Sequence, residues 1–260
     1  MRTAVVTGAS SGIGQELARA LAARGYGVAL LARRAEKLEE LAGEIRSRSG
    51  VSVSVHPVDV TDARGVFDAV RKIEAEMGPI DLAIANAGIG FPTPAKRFEL
   101  EKARMILRTN VEGMLNLFAA VIPAMVERGS GRFAGVASVA GFRGLPGASS
   151  YSASKAAMQA FLEASRIELA GTGVGISIVN PGFVETPLTE KNRFPMPFLM
   201  KPDRAARLIV AGLERGAREI NFPFVTVLGM RLARLVPNAI YDRISLRFAR
   251  RKMDSGKYRT

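Results

Sequence analysis

The sequence predicts a single α/β domain built on a doubly wound parallel sheet with helices on both faces. Three observations carry this prediction. Over the first two thirds of the chain, short β-rich runs alternate with longer amphipathic stretches. Those stretches are long enough to form helices, which makes the connections right-handed βαβ crossovers. The strand interiors are almost continuously apolar, as in strands covered on both faces.

In chain order, strands are expected at residues 3–7, 28–32, 51–55, 82–85, 132–137 and 175–179. Helical periodicity falls between them at 13–24, 35–47, 63–77, 103–128 and 151–171. Pro187, Pro195, Pro197 and Pro202 then break up 186–201, which reads as a loop with at most short helical pieces. A further helix is expected from about Met200 to Arg215, and a last short strand at 219–222. With 260 residues and 48% hydrophobic content, one domain of this size buries about three quarters of its unfolded surface.

Composition excludes several chemistries. The chain has no cysteine, so disulfides, thiolate catalysis and Cys-ligated zinc are ruled out. His56 is the only histidine and cannot build a His-rich metal site or a Ser-His-Asp triad; a structural role is expected for it. The cysteine-free composition suits the cytoplasm. No signal peptide is expected, because MRTAVVTGAS runs straight into a strand and a glycine turn. Charge-free apolar runs fall short of the ~20 residues of a membrane span. The net charge of +13 is compatible with nucleic acid, an anionic membrane or anionic substrates, and charge alone does not choose among them.

Thr7-Gly8-Ala9-Ser10-Ser11-Gly12-Ile13-Gly14 joins the first strand to the first helix. Glycines there permit positive φ and close approach of a phosphate, and the helix start supplies free N–H groups. The spacing is G-x-x-x-G-x-G rather than G-x-G-x-x-G, and on its own it also fits a tight connection. Its place after an N-terminal strand favours nucleotide binding. The second strand ends in Ala32-Arg33-Arg34, with no carboxylate before Glu36. A free ribose 2′-hydroxyl usually meets Asp or Glu here, whereas a 2′-phosphate prefers arginine. NADP(H) is therefore expected over NAD(H), although Arg34 also reads as the solvated start of a helix.

Tyr151-Ser152-Ala153-Ser154-Lys155 puts a phenol and an ammonium four residues apart on one helix face. An adjacent ammonium favours the ionised phenol, bringing it nearer to acid–base work at neutral pH. Ser138, at the end of a predicted strand, can place a hydroxyl on a substrate oxygen. Y-x-x-x-K alone is common on helix surfaces.

The order of the motifs changes its weight. The glycine turn, the arginines, Asn86-Ala87-Gly88, Asn110, Ser138, Tyr151-x-x-x-Lys155 and Asn180-Pro181-Gly182 follow one another at strand ends. Together they closely resemble the short-chain dehydrogenase/reductase family, over about residues 3 to 220. The resemblance implies a Rossmann-like fold and hydride transfer between NADP(H) and a carbonyl or alcohol. It places Gly8, Ser10, Ser11, Gly12, Ile13 and Gly14 along the pyrophosphate and adenosine, Asp59 and Val60 at the adenine, and Asn86, Ala87 and Gly88 at the adenine ribose. Ala85-Asn86 stands where many members carry two asparagines. By the same resemblance, Tyr151 is the acid/base and Ser138 orients the substrate oxygen. Lys155 supports Tyr151 and the nicotinamide ribose, and Asn110 holds a relay water. Pro181, Gly182, Val184 and Thr186 close over the nicotinamide. The family also implies a homodimer or homotetramer with contacts around 103–128 and 151–171.

Residues 1–222 are thus expected to be the catalytic unit, with a substrate lid at about 186–201. Phe183, Leu188, Phe194, Met196, Phe198, Leu199 and Met200 make that lid apolar and point to a hydrophobic substrate. The segment 223–260 is expected to be a basic amphipathic helical extension. From 224 onward Arg231, Arg234, Arg243, Arg247, Arg250, Arg251, Lys252, Lys257 and Arg259 face only Asp242 and Asp254. Leu228, Leu232, Leu235 and Val236 share a helical face, and Ile240, Ile244 and Phe248 repeat the stripe at a spacing of four. Such segments suit an anionic membrane, here the inner face of one; covering the cleft or a subunit interface is the competing expectation. Nucleic acid is not expected, because no aromatic platform or nucleic-acid module accompanies the charge. A cofactor-sensing protein without turnover is the rival function, but it has no use for an activated phenol.

Overall fold

The computed structural model describes residues 2–190 and 195–254 of the chain. Its elements run β1 (Thr3–Thr7), α1 (Gly12–Ala22), β2 (Gly27–Ala32), α2 (Ala35–Ser49), β3 (Val53–Pro57), α3 (Ala63–Met77) and β4 (Ile80–Ala85). There follow α4 (Leu100–Leu107), α5 (Gly113–Arg128), β5 (Gly131–Val136), α6 (Ser149–Glu168), β6 (Val174–Pro181) and the single turn α7 (Pro187–Glu190). The chain then continues through α8 (Pro202–Glu214), β7 (Glu219–Phe222), α9 (Phe224–Leu235) and α10 (Asn238–Asp254). The strands form one seven-stranded sheet in the order β3-β2-β1-β4-β5-β6-β7, and every neighbouring pair is parallel.

Strand alternation divides the core into two layers. Ala4, Val6, Val28 and Leu30 face Leu17, Leu21, Leu38, Leu41 and Ile209 of α1, α2 and α8. Val5, Ala29 and Leu31 face the other way, toward Val66, Ile73, Leu117, Met158 and Leu162 of α3, α5 and α6. Phe118 stands edge-on to both Phe133 and Phe161, at centroid distances of 5.1 and 4.9 Å, and locks β5 between α5 and α6. Winding reverses between β1 and β4, so a crevice opens at their C-terminal ends.

Several elements depart from the expected bounds by one to three residues, among them β4, which starts at Ile80 rather than 82, and α6, which ends at Glu168 rather than 171. β3 starts at Val53 rather than 51, because this edge strand takes its register from β2, with Val53 opposite Val28. The helix expected at 103–128 begins at Leu100 and is interrupted by a π-helical turn over Arg108–Glu112. Among the described residues this stretch, Leu100–Arg128, is long and apolar enough to cross a membrane. Met114, Leu117, Val121, Ile122 and Met125 are buried against the sheet, however, so that side of it belongs to the core.

Candidate active site

A cleft of about 330 Å³ lies at the winding reversal, lined by Gly8, Ser10, Ser11, Ile13, Arg33, Arg34, Asp59, Val60, Asn86, Ala87, Gly88, Ser138, Tyr151, Lys155, Pro181, Gly182, Val184 and Thr186. Three other residues expected in the site, Gly12, Gly14 and Asn110, do not line it.

Gly14 and Gly12 serve close packing. A Cβ on Gly14 would sit 2.3 Å from the Gly8 carbonyl oxygen, and one on Gly12 would sit 2.9 Å from Thr186 Cγ2. Gly8, at φ +67°, brings the turn within reach of Ala87. Thr7 fastens that approach. Its Oγ1 accepts from the N–H groups of Asn86 and Ala87, both at 3.0 Å, while Asn86 Nδ2 donates to the Thr7 carbonyl at 2.9 Å. Ser11, at the start of α1, makes no side-chain capping bond, so the first turn keeps donors for an anion.

The arginine pair divides its contacts. Arg34 is not simply solvated: it reaches Ser10 Oγ at 2.8 Å and Ser11 Oγ at 2.9 Å, bridging β2 to the glycine turn. Arg33 is exposed and lies 3.6 Å from Asp59. Partial burial opposes ionisation of Asp59, but Thr61 N and Oγ1, each donating at 2.9 Å, together with Arg33 hold its carboxyl below the usual range. The cap of α3 is Asp62, accepting from Gly65 N at 3.1 Å, so Asp59 remains at the cleft.

Tyr151 lies in the first turn of α6, which has no capping side chain of its own. Buried Thr93 supplies one from the loop after β4, its Oγ1 accepting from Ser150 N at 3.2 Å. Ser138 ends β5. Its Oγ accepts from Ala140 N at 3.1 Å, donates to the Pro181 carbonyl at 3.4 Å and stands beside the Tyr151 phenol. Lys155 is buried, with Nζ donating to the Val136 carbonyl at 2.8 Å and lying 5.7 Å from the Tyr151 ring centroid. Burial drives the electrostatics of this group. It raises the Tyr151 phenol, with the Ser138 hydroxyl opposing, and lowers the Lys155 ammonium to about 7. The expected lowering of the phenol by its neighbouring ammonium is therefore not found, because both groups are held toward their neutral forms.

A family model of short chain dehydrogenases matches residues 2–196. The chain belongs to the short-chain dehydrogenase family. It is 46% identical over 241 residues to an uncharacterized oxidoreductase of Myxococcus xanthus, covering 93% of this chain and 95% of that one. A ketoacyl reductase of Nostoc is 34% identical over 223 residues, 84% of this chain and 77% of its own. Among solved structures, a short-chain dehydrogenase of Sphingobium yanoikuyae in complex with NADPH superposes with a TM-score of 0.79 at 28% identity, over 98% of this chain and 96% of that one.

Within this dehydrogenase, Asn110 sits buried in the π-helical turn. It accepts from Ile89 N at 2.8 Å and donates to the Ile89 carbonyl and Ser154 Oγ, both at 3.0 Å. Ser154 in turn donates to the Tyr151 carbonyl at 2.7 Å. The apolar side chains of the expected lid are placed differently from one another. Leu188 lines the cleft, and Phe198 and Leu199 are exposed. Met200 is buried in the core and pairs with Val184. Phe194 lies outside the described residues.

Sequence reading missed Thr93 and Gln159. Gln159 Nε2 donates to the Ser138 carbonyl at 2.9 Å and to Asn180 Oδ1 at 2.8 Å. Asn180 donates to Asn221, Asn221 to Glu219, and Arg231 of α9 closes the chain on Glu219 at 2.6 Å. A signal for it existed: Tyr151, Lys155 and Gln159 follow a stride of four along one helix face. Gln159→Met should lower kcat roughly tenfold with little change in the KM for the dinucleotide, because it loosens the turn carrying Ser138. Steady-state kinetics separating kcat from KM checks this, and an unchanged kcat would show that Gln159 does not position Ser138.

Proposed function

We propose that this dehydrogenase transfers a hydride between NADP(H) and the carbonyl or alcohol carbon of a hydrophobic substrate. The observation that carries this reading is the convergence of Ser138, Tyr151 and Lys155 on one wall of a cleft whose other end presents Arg33 and Arg34. The residues present fit a phosphorylated dinucleotide. The glycine turn leaves no room for added side chains between Gly8, Gly14 and Ala87. Protonated Lys155 has three donors, of which the Val136 carbonyl takes one and the Met158 sulfur another, which leaves one for a ribose. At the β2 end, two guanidiniums meet a single carboxylate, that of Asp59.

A nicotinamide dinucleotide bound here supplies or accepts the hydride. Tyr151 donates the proton to the substrate oxygen when a carbonyl is reduced, and takes it back when an alcohol is oxidised. Ser138 hydrogen-bonds the same oxygen and holds it against the phenol. Lys155 orients the ribose and adjoins the phenol as a proton partner. Asn110 acts as a positioning residue through its side chain, holding the Ile89 segment and, by way of Ser154, the turn of helix that carries Tyr151. Gly182, Val184 and Thr186 form the nicotinamide side of the cleft, and Leu188 adds apolar surface for the substrate. Assembly as a homodimer or homotetramer would cover Met105, Leu107 and Val126 of α4 and α5 and Ile167 of α6, all of which are exposed.

The cofactor choice is tested at β2. Arg33→Ala should raise the KM for NADPH about tenfold or more and leave that for NADH nearly unchanged, as loss of one charge-assisted phosphate contact requires. An unchanged NADPH/NADH preference would refute the assignment to NADP(H).

A further inference from the structure

We infer that the α9–α10 segment is a docking surface for an anionic lipid bilayer, a role independent of the chemistry in the cleft. The segment is fixed to the body by one side. Arg143 NH1 donates to the carbonyls of Arg234 at 3.0 Å and Val236 at 3.2 Å, and its NH2 reaches Asn238 Oδ1 at 2.9 Å. The same guanidinium stacks 4.1 Å over the Tyr241 ring, whose hydroxyl donates to the Gly144 carbonyl at 2.7 Å. Val227 is buried on that side.

The opposite side has no partner among the described residues. Phe224, Leu228, Leu232 and Leu235 recur at helical spacing and are 74, 44, 55 and 79% exposed. Ile240 and Ile244 carry the exposure onto α10, with Arg243 exposed between them. Contiguous apolar surface of this kind on a protomer marks an interaction site, and the face does not cover the cleft.

Charge selects the occupant. From residue 224 to the C-terminus the sequence has nine Lys and Arg against two Asp. A second copy seated on the stripe would bring like charge onto like charge. A convex helix face offers no enclosed pocket to a small molecule. An anionic bilayer accepts the leucines at the acyl boundary and the arginines at the headgroups.

Co-sedimentation of the full chain tests this, using vesicles of phosphatidylcholine alone and of phosphatidylcholine mixed equally with phosphatidylglycerol. The wild type should partition onto the mixed vesicles, not onto phosphatidylcholine, and added salt should weaken binding. Leu232→Glu combined with Leu235→Glu should reduce partition roughly tenfold or more with unchanged thermal melting, because both side chains are already exposed. Failure of the wild type to bind mixed vesicles at low salt would overturn the proposal, as would equal binding by the double variant. Dissociation of an oligomer by the same variant, without any vesicle binding, would assign the stripe to a second copy instead. Dinucleotide binding and turnover in solution, measured in parallel, report on the cleft separately.

Discussion

Tyr151→Phe should lower kcat for carbonyl reduction by about a thousandfold, within the range of removing a positioned general acid, while dinucleotide binding stays close to wild type. The substitution is conservative for packing: the ring stays beside Gly90, where a Cβ would stand 3.1 Å from Tyr151 Cδ2. What is lost is the hydroxyl that meets Ser138. No neighbour takes over its task. Lys155 Nζ is directed at the Val136 carbonyl, and Asp59 is committed to Thr61 and Arg33. His56 lies on edge strand β3 with Nε2 3.0 Å from Ser54 Oγ. Because burial raises the phenol above its ordinary value, Tyr151 is protonated at neutral pH and ready to act as an acid. Alcohol oxidation, which needs the ionised form, should therefore climb with pH through the alkaline range while carbonyl reduction does not. Steady-state kinetics in both directions checks both statements, and near-normal turnover by the Phe variant with a good substrate would remove Tyr151 from the chemistry.

The sheet was legible because its strands are apolar on both faces and end in turn residues. β1 at Thr3–Thr7, β7 at Glu219–Phe222 and α3 at Ala63–Met77 fall where the pattern puts them. β3 moved by two residues because an edge strand with half-buried positions carries little hydrophobic signal, and pairing with β2 sets its register. The π-helical turn at Arg108–Glu112 has no marker in a 3.6-residue periodicity, yet it seats Asn110 between Ile89 and Ser154. Residues that line the cleft were readable from the order of motifs at strand ends. Residues that hold the lining in place were not, since their partners are remote: Gln159 meets Asn180, and Arg143 meets the carbonyl of Arg234. Electrostatics was the least legible layer. A spacing of four predicts that the ammonium lowers the phenol's pKa, but the degree of burial, which only the fold determines, moves both groups toward neutrality.

That burial makes Lys155→Met informative about stability as well as turnover. The ammonium has an ordinary pKa of 10.5 and is pushed down to about 7 in the folded protein. Between these values the unfolded chain holds a proton that the native state has released, so stability rises as pH rises across that window. From pH 7 to 9 this one group should add about 2 kcal/mol, and the rise should vanish in the methionine variant. Other shifted groups fall outside the interval. Burial lowers His56, which places its window below pH 6.5, and raises Tyr26 and Tyr151, which act above pH 10. The variant also gives up the bond to the Val136 carbonyl, a loss of about 1 kcal/mol that does not depend on pH. Methionine suits the pocket, since Lys155 already packs beside the Met158 sulfur at 3.6 Å. Near pH 7 the variant should therefore match or exceed the wild type in stability while its kcat/KM falls by about a hundredfold or more, the scale of a lost electrostatic contact in a buried site. Urea unfolding across pH 7 to 9 measures the slope. Equal slopes in the two proteins would mean that Lys155 keeps its proton in the folded state and that burial does not govern its charge.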